Sequence, residues 1–252
     1  MMEELTGNTK EGGDTTDLVR VNSQVREGYP AGALVVVEGI DGSGKSTQLH
    51  LLEAWLRHLG VLAYVTGWNS SELVKEITSK GKKKALLTPT TFSLLHATDF
   101  ADRYERNVYP LLRAGYFVLA DRYIYTAYAR DTVRGCNPRW VRKMYDFATR
   151  PNVTFYFDVP VDVAVKRILT GRPKLKYYEA GMDMNLSNDI YESYRIFQSR
   201  IIEQYRKMAS RENFFVMDGT LDIEEQQRKM RSAIIPLLPP EISDSALREL
   251  MP

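Results

Sequence analysis

The sequence predicts an α/β fold of three layers, with a five-stranded parallel sheet flanked on both faces by helices. Three observations carry that expectation. Apolar or β-branched runs alternate along the chain with amphipathic stretches of helical period. Three of those runs, at 33–38, 116–120 and 153–158, are near-continuously apolar, as strands covered on both faces must be. The first run leads through a glycine-rich segment into a helix, and sheets of this kind bind their ligands at the carboxyl ends of the strands.

Taken in order, the strands are expected at 33–38, 62–66, 116–120, 153–158 and 213–217. Helical spacing covers 45–59, 71–80, 90–113, 138–148, 161–169, 187–209 and 222–235. In the first helix Leu49, Leu51, Leu52, Trp55, Leu56 and Leu59 make the apolar face. The clearest is 187–209, where Ser187 is placed to cap and Ile190, Tyr194, Phe197, Ile201, Tyr205 and Met208 recur at helical spacing. Residues 1–31 are polar, with few large apolar side chains, and read as a flexible N-terminal leader. A single domain is expected over 32–238, and 239–252 as a C-terminal tail with room for one short helix.

At 252 residues the chain can bury one sizeable core. Its net charge of +2 gives no reason to expect nucleic acid as a partner. Cys136 is the one cysteine, which excludes an internal disulfide framework. No apolar run approaches the ~20 residues that a membrane span needs. The N-terminus lacks the apolar stretch of a signal peptide. A cytoplasmic protein without a membrane partner is expected.

The glycine-rich segment reads Gly39-Ile40-Asp41-Gly42-Ser43-Gly44-Lys45-Ser46-Thr47 and matches G-x-x-x-x-G-K-[ST]. Glycines let backbone N–H groups converge on phosphate oxygens, and the following helix adds its dipole. Lys45 supplies a point charge for the β- and γ-phosphates, and the Ser46 hydroxyl can ligate Mg²⁺. The third strand ends in Asp121-Arg122-Tyr123. A carboxylate there can hold Mg²⁺ through water or accept a proton, and Arg122 can meet a second phosphate in the same crevice. The basic segment Thr170-Gly171-Arg172-Pro173-Lys174-Leu175-Lys176 is placed to close over a nucleotide.

On these residues the chain resembles the thymidylate kinases, a branch of the P-loop nucleoside monophosphate kinases. The resemblance runs from about Ala33 to Leu238 and also takes in Glu38, Leu94-Leu95, Pro110, Gly115, Asp158-Val159-Pro160-Val161, Tyr178-Glu179 and Met182-Asp183. It implies a three-layer P-loop nucleotide kinase fold with a short lid at about 170–186, and often a homodimer. It also implies ATP and Mg²⁺ as cofactors and transfer of the γ-phosphoryl group to dTMP. Asp41 inside the loop then lies near the acceptor. The loop has no arginine between Gly39 and Lys45, so the resemblance is to the branch with its catalytic arginine in the lid, which makes Arg172 the candidate. Arg167 and the loop Asp218-Gly219-Thr220 sit where the family holds the adenine.

The acceptor side departs from the family. Its T-R-E-P-G segment is replaced by Thr66-Gly67-Trp68-Asn69-Ser70. The stacking aromatic and the arginine four residues on are replaced by His96 and Phe100, and A-Y-Q by Ala129-Arg130-Asp131. Of the usual acceptor set, Asp41 and Arg122 remain. An acceptor phosphate needs cationic partners, for which Arg103 and Arg130 are the candidates. Asp131 is expected to be a surface carboxylate. Trp68 and His96 fit packing as well as contact with a small-molecule nucleotide acceptor. Two rivals stand beside a dTMP kinase: a kinase for another nucleotide or a nucleoside, and a non-catalytic nucleotide-binding module.

Overall fold

The computed structural model describes residues 32–250, so the expected leader at 1–31 lies outside the described residues. Five strands form one sheet: β1 (Ala33–Glu38), β2 (Ala63–Gly67), β3 (Phe117–Asp121), β4 (Val153–Asp158) and β5 (Phe215–Asp218). Their order is β2-β3-β1-β4-β5, and every pairing is parallel. Alternate residues of a strand face opposite ways, and the core divides accordingly. Leu34 and Val36 of β1 join the cluster built with Phe197, Ile201 and Tyr205. Val35 and Val37 join Leu49, Leu52, Trp55 and Met230 on the other face. This is the three-layer α/β arrangement that the alternating runs imply.

The helices are α1 (Lys45–His58), α2 (Lys75–Lys83), α3 (Pro89–Arg103), α4 (Tyr109–Arg113), α5 (Ile124–Val133), α6 (Pro138–Met144), α7 (Val161–Gly171), α8 (Ile190–Arg211), α9 (Ile223–Ile234) and α10 (Pro240–Leu250). The stretch predicted as one helix at 90–113 is α3 and α4 joined by a π-helical turn at Tyr104–Val108. Pro110 has no N–H to return to the Arg106 carbonyl, and the ladder widens just before it. Asp189, not Ser187, caps α8, with its Oδ1 accepting from Glu192 N at 2.8 Å. The tail after Pro239 is more than an end: α10 lays Ala246, fully buried, against the α1/α9 face of the sheet.

Helix α5 is absent from the elements predicted by spacing. Its sequence, Ile-Tyr-Thr-Ala-Tyr-Ala, is rich in β-branched and aromatic residues, and Tyr123 at its N-cap makes no side-chain cap. The cap comes from β1. Glu38, wholly buried, accepts from Tyr123 N (2.8 Å), Thr126 N (3.1 Å), the Thr126 hydroxyl (2.7 Å) and the Tyr205 hydroxyl (2.7 Å). Burial raises the pKa of Glu38, while the bonds from Thr126, Tyr123 and Tyr205 oppose the shift. A carboxylate at a helix N-terminus satisfies orphan donors and meets the positive end of the dipole.

Glu38→Gln keeps the volume but turns one accepting oxygen into a donor among donors. It is expected to lower unfolding free energy by about 2 kcal/mol, measured by urea denaturation. A change below about 0.5 kcal/mol would show that Glu38 does not hold α5.

Candidate active site

The loop between β1 and α1 is shaped by its glycines. Gly42 and Gly44 have φ of 82° and 92°, in the left-handed region that side chains avoid. A Cβ on Gly42 would stand 2.5 Å from the Ala164 carbonyl oxygen, whereas one on Gly44 would have only an Arg167 nitrogen near it, at 3.7 Å. The backbone therefore packs on α7 at one glycine and faces open space at the next. That open space lies at the N-terminus of α1, where N–H groups and the helix dipole favour an anion.

Lys45 opens α1 and is 5% exposed. Its Nζ donates to the loop's own Ile40 carbonyl at 3.2 Å. Burial, and then the charge of Arg122, push its pKa down to about 8, although Asp121 and Asp41 oppose the shift. The ammonium thus has donors to spare for a phosphate. Ser46 donates to Asp121 Oδ2 at 2.5 Å, while Asp121 Oδ1 is buried without a hydrogen-bond partner among the described residues. Register places Asp121 opposite Val37, beside the start of the loop. No cluster of three or more His, Cys, Asp or Glu side chains fit to hold a metal occurs among the described residues. One hydroxyl and one open carboxylate oxygen suit Mg²⁺, which keeps waters and shares its shell with phosphates.

Beyond the loop lies a cavity of about 750 Å³ whose lining includes seven cationic residues and two acidic ones, Asp41 and Glu179. Arg122 takes φ of 75°, an uncommon backbone state for a non-glycine residue, and its N–H bonds to the Val37 carbonyl at 3.0 Å. From there its guanidinium pairs with Asp41 Oδ1, and Arg130 pairs with Oδ2 at 2.6 Å. Burial opposes ionisation of Asp41. The charges of Arg122, Arg130 and Lys45 outweigh it and hold the carboxyl well below the usual range. Lys82 from α2 also faces the cavity, its pKa lowered to about 8 by burial and then by Arg130 and Arg134. Like charges held this close create a demand for an anion.

The segment after α7 closes one side. Arg172 pairs with Glu179, which also accepts from Lys176 N at 3.3 Å. Arg134 ties the segment to the end of α5 through Asp183 Oδ2 and the Tyr178 carbonyl, both at 2.8 Å. Arg172 and Lys176 line the cavity, and Lys174 is exposed. Arg167 spans from the Ser43 carbonyl (3.3 Å) to the Gly219 carbonyl (2.9 Å), joining the phosphate loop to the loop after β5.

Of the acceptor candidates, the structure brings Asp41, His96, Arg122 and Arg130 to the cavity, with Trp68 beside them. Phe100 and Arg103 do not reach it. Phe100 is buried in an aromatic cluster with Tyr104, Tyr123 and Tyr145. Arg103 is committed to Asp99 (2.9 Å) and Thr66 Oγ1 (3.0 Å), and opens on a separate cleft beside β2. One turn along α3 puts these two side chains toward β2 and the core rather than toward α5. Asp131 is not a surface carboxylate: it is 1% exposed and takes a 2.6 Å bond from Ser93 Oγ. Sequence reasoning missed Phe92, Lys82 and Arg134. Phe92 lies four residues before His96 on α3, and that spacing was a usable signal.

Comparison with known proteins identifies the family. The family model for thymidylate kinase matches residues 37–230, from the end of β1 into α9. Probable thymidylate kinase 2 of Saccharolobus solfataricus is 46% identical over 204 residues, covering 81% of this chain and 95% of that one. Thymidylate kinase of Thermosipho africanus is 30% identical over 209 residues, 79% of this chain and 96% of its own. Probable thymidylate kinase of Thermococcus kodakarensis is 30% identical over 184 residues, 69% and 83% of the two chains. The family match runs from the end of β1 through the phosphate loop and the Asp121-Arg122 corner to α9, and the chain belongs to the thymidylate kinase family.

Proposed function

We propose that the protein is an ATP- and Mg²⁺-dependent kinase that converts dTMP to dTDP. The observation that carries this is the junction of the two half-sites. The Lys45 loop opens at Asp41 directly into a cavity where, among the described residues, cations outnumber carboxylates seven to two. Such a cavity compensates a dianionic acceptor, which a single cation would leave poorly matched. A neutral nucleoside has no use for that charge, so the nucleoside-kinase reading is the weaker one. Lys45 and Asp121 are both present and placed at the loop, which argues against a non-catalytic binding module.

In this reading Lys45 and Arg172 stabilise the group in flight, and Arg122 and Arg130 hold the acceptor phosphate. Asp41 keeps those two guanidiniums oriented and, as the family resemblance implies, lies near the acceptor. Ser46 and Asp121 would hold Mg²⁺, which would supply positive charge to offset the charge that develops on the phosphoryl group. Transfer is in line, so the protein's part is positioning and charge rather than covalent chemistry. Arg167, with the loop at 218–220, is assigned to the donor base. No helix among the described residues is long and apolar enough to cross a membrane. A homodimer is the assembly that the family resemblance supports.

A coupled assay of ADP release across nucleoside monophosphates and nucleosides tests the reading. dTMP is expected to give the highest kcat/KM. A preference for thymidine over dTMP, or no ADP with any acceptor, would overturn it.

A further inference from the structure

One charge on the wall of the acceptor cavity is uncommitted. Seven cationic residues line that cavity. The four arginines each pair with a carboxylate: Arg122 and Arg130 with Asp41, Arg134 with Asp183 and Arg172 with Glu179. Lys83 and Lys176 are exposed, so water solvates them. Lys82 is half-buried, and among the described residues its ammonium makes no hydrogen bond or ion pair. It stands 5.1 Å from the centroid of the Phe92 ring, a weaker partner for a cation than an anion is.

Lys82 faces α3 through Phe92 and His96, α5 through Arg130 and Arg134, the segment after α7 through Lys176 and the end of β3 through Arg122. No carboxylate is among these neighbours. Burial first, and then the charges of Arg130, Arg134, Lys176 and Arg122, push its pKa down to about 8. A half-buried ammonium without a counter-charge is costly, and an anion entering the cavity relieves that cost. The end of α2 fixes where the side chain starts. Gly81 is buried against Leu87, and Lys84 N and Leu86 N bond back to the Lys80 and Gly81 carbonyls at 3.1 and 3.0 Å. The ammonium keeps the reach of a flexible four-carbon stem.

We infer that Lys82 is a further ligand of the acceptor's phosphate, brought to the cavity by α2 and acting together with Arg130. The phosphate is the one full anion on a nucleoside monophosphate, whereas its base offers only neutral acceptors. Arg130 is the cation that bears most on Lys82, and it meets Asp41 where the phosphate loop opens into the cavity. An anion held by Arg130 therefore lies in the field of Lys82. The inference rests on the kinase reading given above and adds a residue from outside the phosphate loop, the Asp121-Arg122 corner and the lid.

The test compares dTMP with thymidine. Lys82→Met keeps an unbranched stem and removes the charge. It should raise the KM and Kd for dTMP by about tenfold or more, the worth of one charge-assisted hydrogen bond. The KM for ATP and the inhibition constant of thymidine should not move. Lys82→Arg keeps the charge and should recover most of the affinity. Calorimetry in buffers of differing ionisation enthalpy counts the protons taken up. At pH 8 Lys82 of the free protein is about half protonated, and a bound phosphate raises its pKa, so dTMP binding to wild type should take up about half a proton more than binding to Lys82→Arg.

An equal weakening of thymidine and dTMP in Lys82→Met would mark a base contact or a structural role and overturn the inference. So would a KM for dTMP within about twofold of wild type, or equal proton uptake by wild type and Lys82→Arg. In each of these cases turnover of dTMP by wild type leaves the kinase reading standing. A wild-type protein that phosphorylates no monophosphate removes both.

Discussion

Lys45→Ala is expected to lower kcat/KM by about two to three orders of magnitude, on the order of 3–4 kcal/mol of transition-state stabilisation. The ammonium is the first residue of α1 and is almost wholly buried, so its charge acts in a site largely closed to water. Its present partner, the Ile40 carbonyl, is a neutral acceptor that a phosphate oxygen outcompetes. No other lysine opens α1. Arg122 and Arg130 cannot stand in, because both are paired with Asp41 on the acceptor side. Steady-state kinetics at saturating ATP and acceptor provides the check. Turnover within a factor of a few of wild type would remove Lys45 from the transfer step and weaken the assignment of the loop itself. Unchanged circular dichroism and melting temperature would keep the result from being read as unfolding.

Arg172→Ala is expected to lower kcat by about a hundredfold or more, with ATP affinity largely kept. The phosphate loop has no arginine between Gly39 and Lys45, so the charge that spreads over the transferring group must be met from outside it. Arg172 lines the cavity at the C-terminal end of α7 and pairs with Glu179 in the segment after it. That ion pair is partly open to water, and such pairs are weak, so the guanidinium can leave it for a stronger anion. An interaction formed mainly in the transition state shows in kcat and not in ground-state binding. Single-turnover transfer and ATP titration together separate the two. Loss of ATP affinity with kcat intact would make Arg172 a ground-state nucleotide contact.

The donor half of the site was legible because it is local. A strand, a six-residue glycine-bearing turn and a helix put Lys45 and Ser46 in place by backbone geometry alone, and the motif encodes that geometry. The same holds for the sheet. Runs such as 33–38 and 153–158 are apolar throughout because both faces of the strand are covered, and β1 and β4 have those bounds. Arg167 and Arg172 follow from position at the end of the fourth strand's helix.

The acceptor half was legible only in part, because side chains far apart in sequence decide it. Spacing on α3 makes His96, Phe100 and Arg103 near neighbours, but α3 lies against α5 on one side and β2 on the other. His96 therefore turns toward Asp131 on α5 and lines the cavity, while Arg103 turns to Thr66 and lines a separate cleft beside β2. Asp131 looks like a surface carboxylate until α5 is known to exist. That helix has no start signal of its own; its cap is Glu38, 85 residues from Tyr123 along the chain. By itself the sequence determined the parallel sheet, the phosphate loop and the Asp121-Arg122 corner, all set by backbone periodicity and a short motif. Only the tertiary structure decided which arginines and which histidine line the cavity, since burial against a distant strand or helix, not spacing, fixes where those side chains can go.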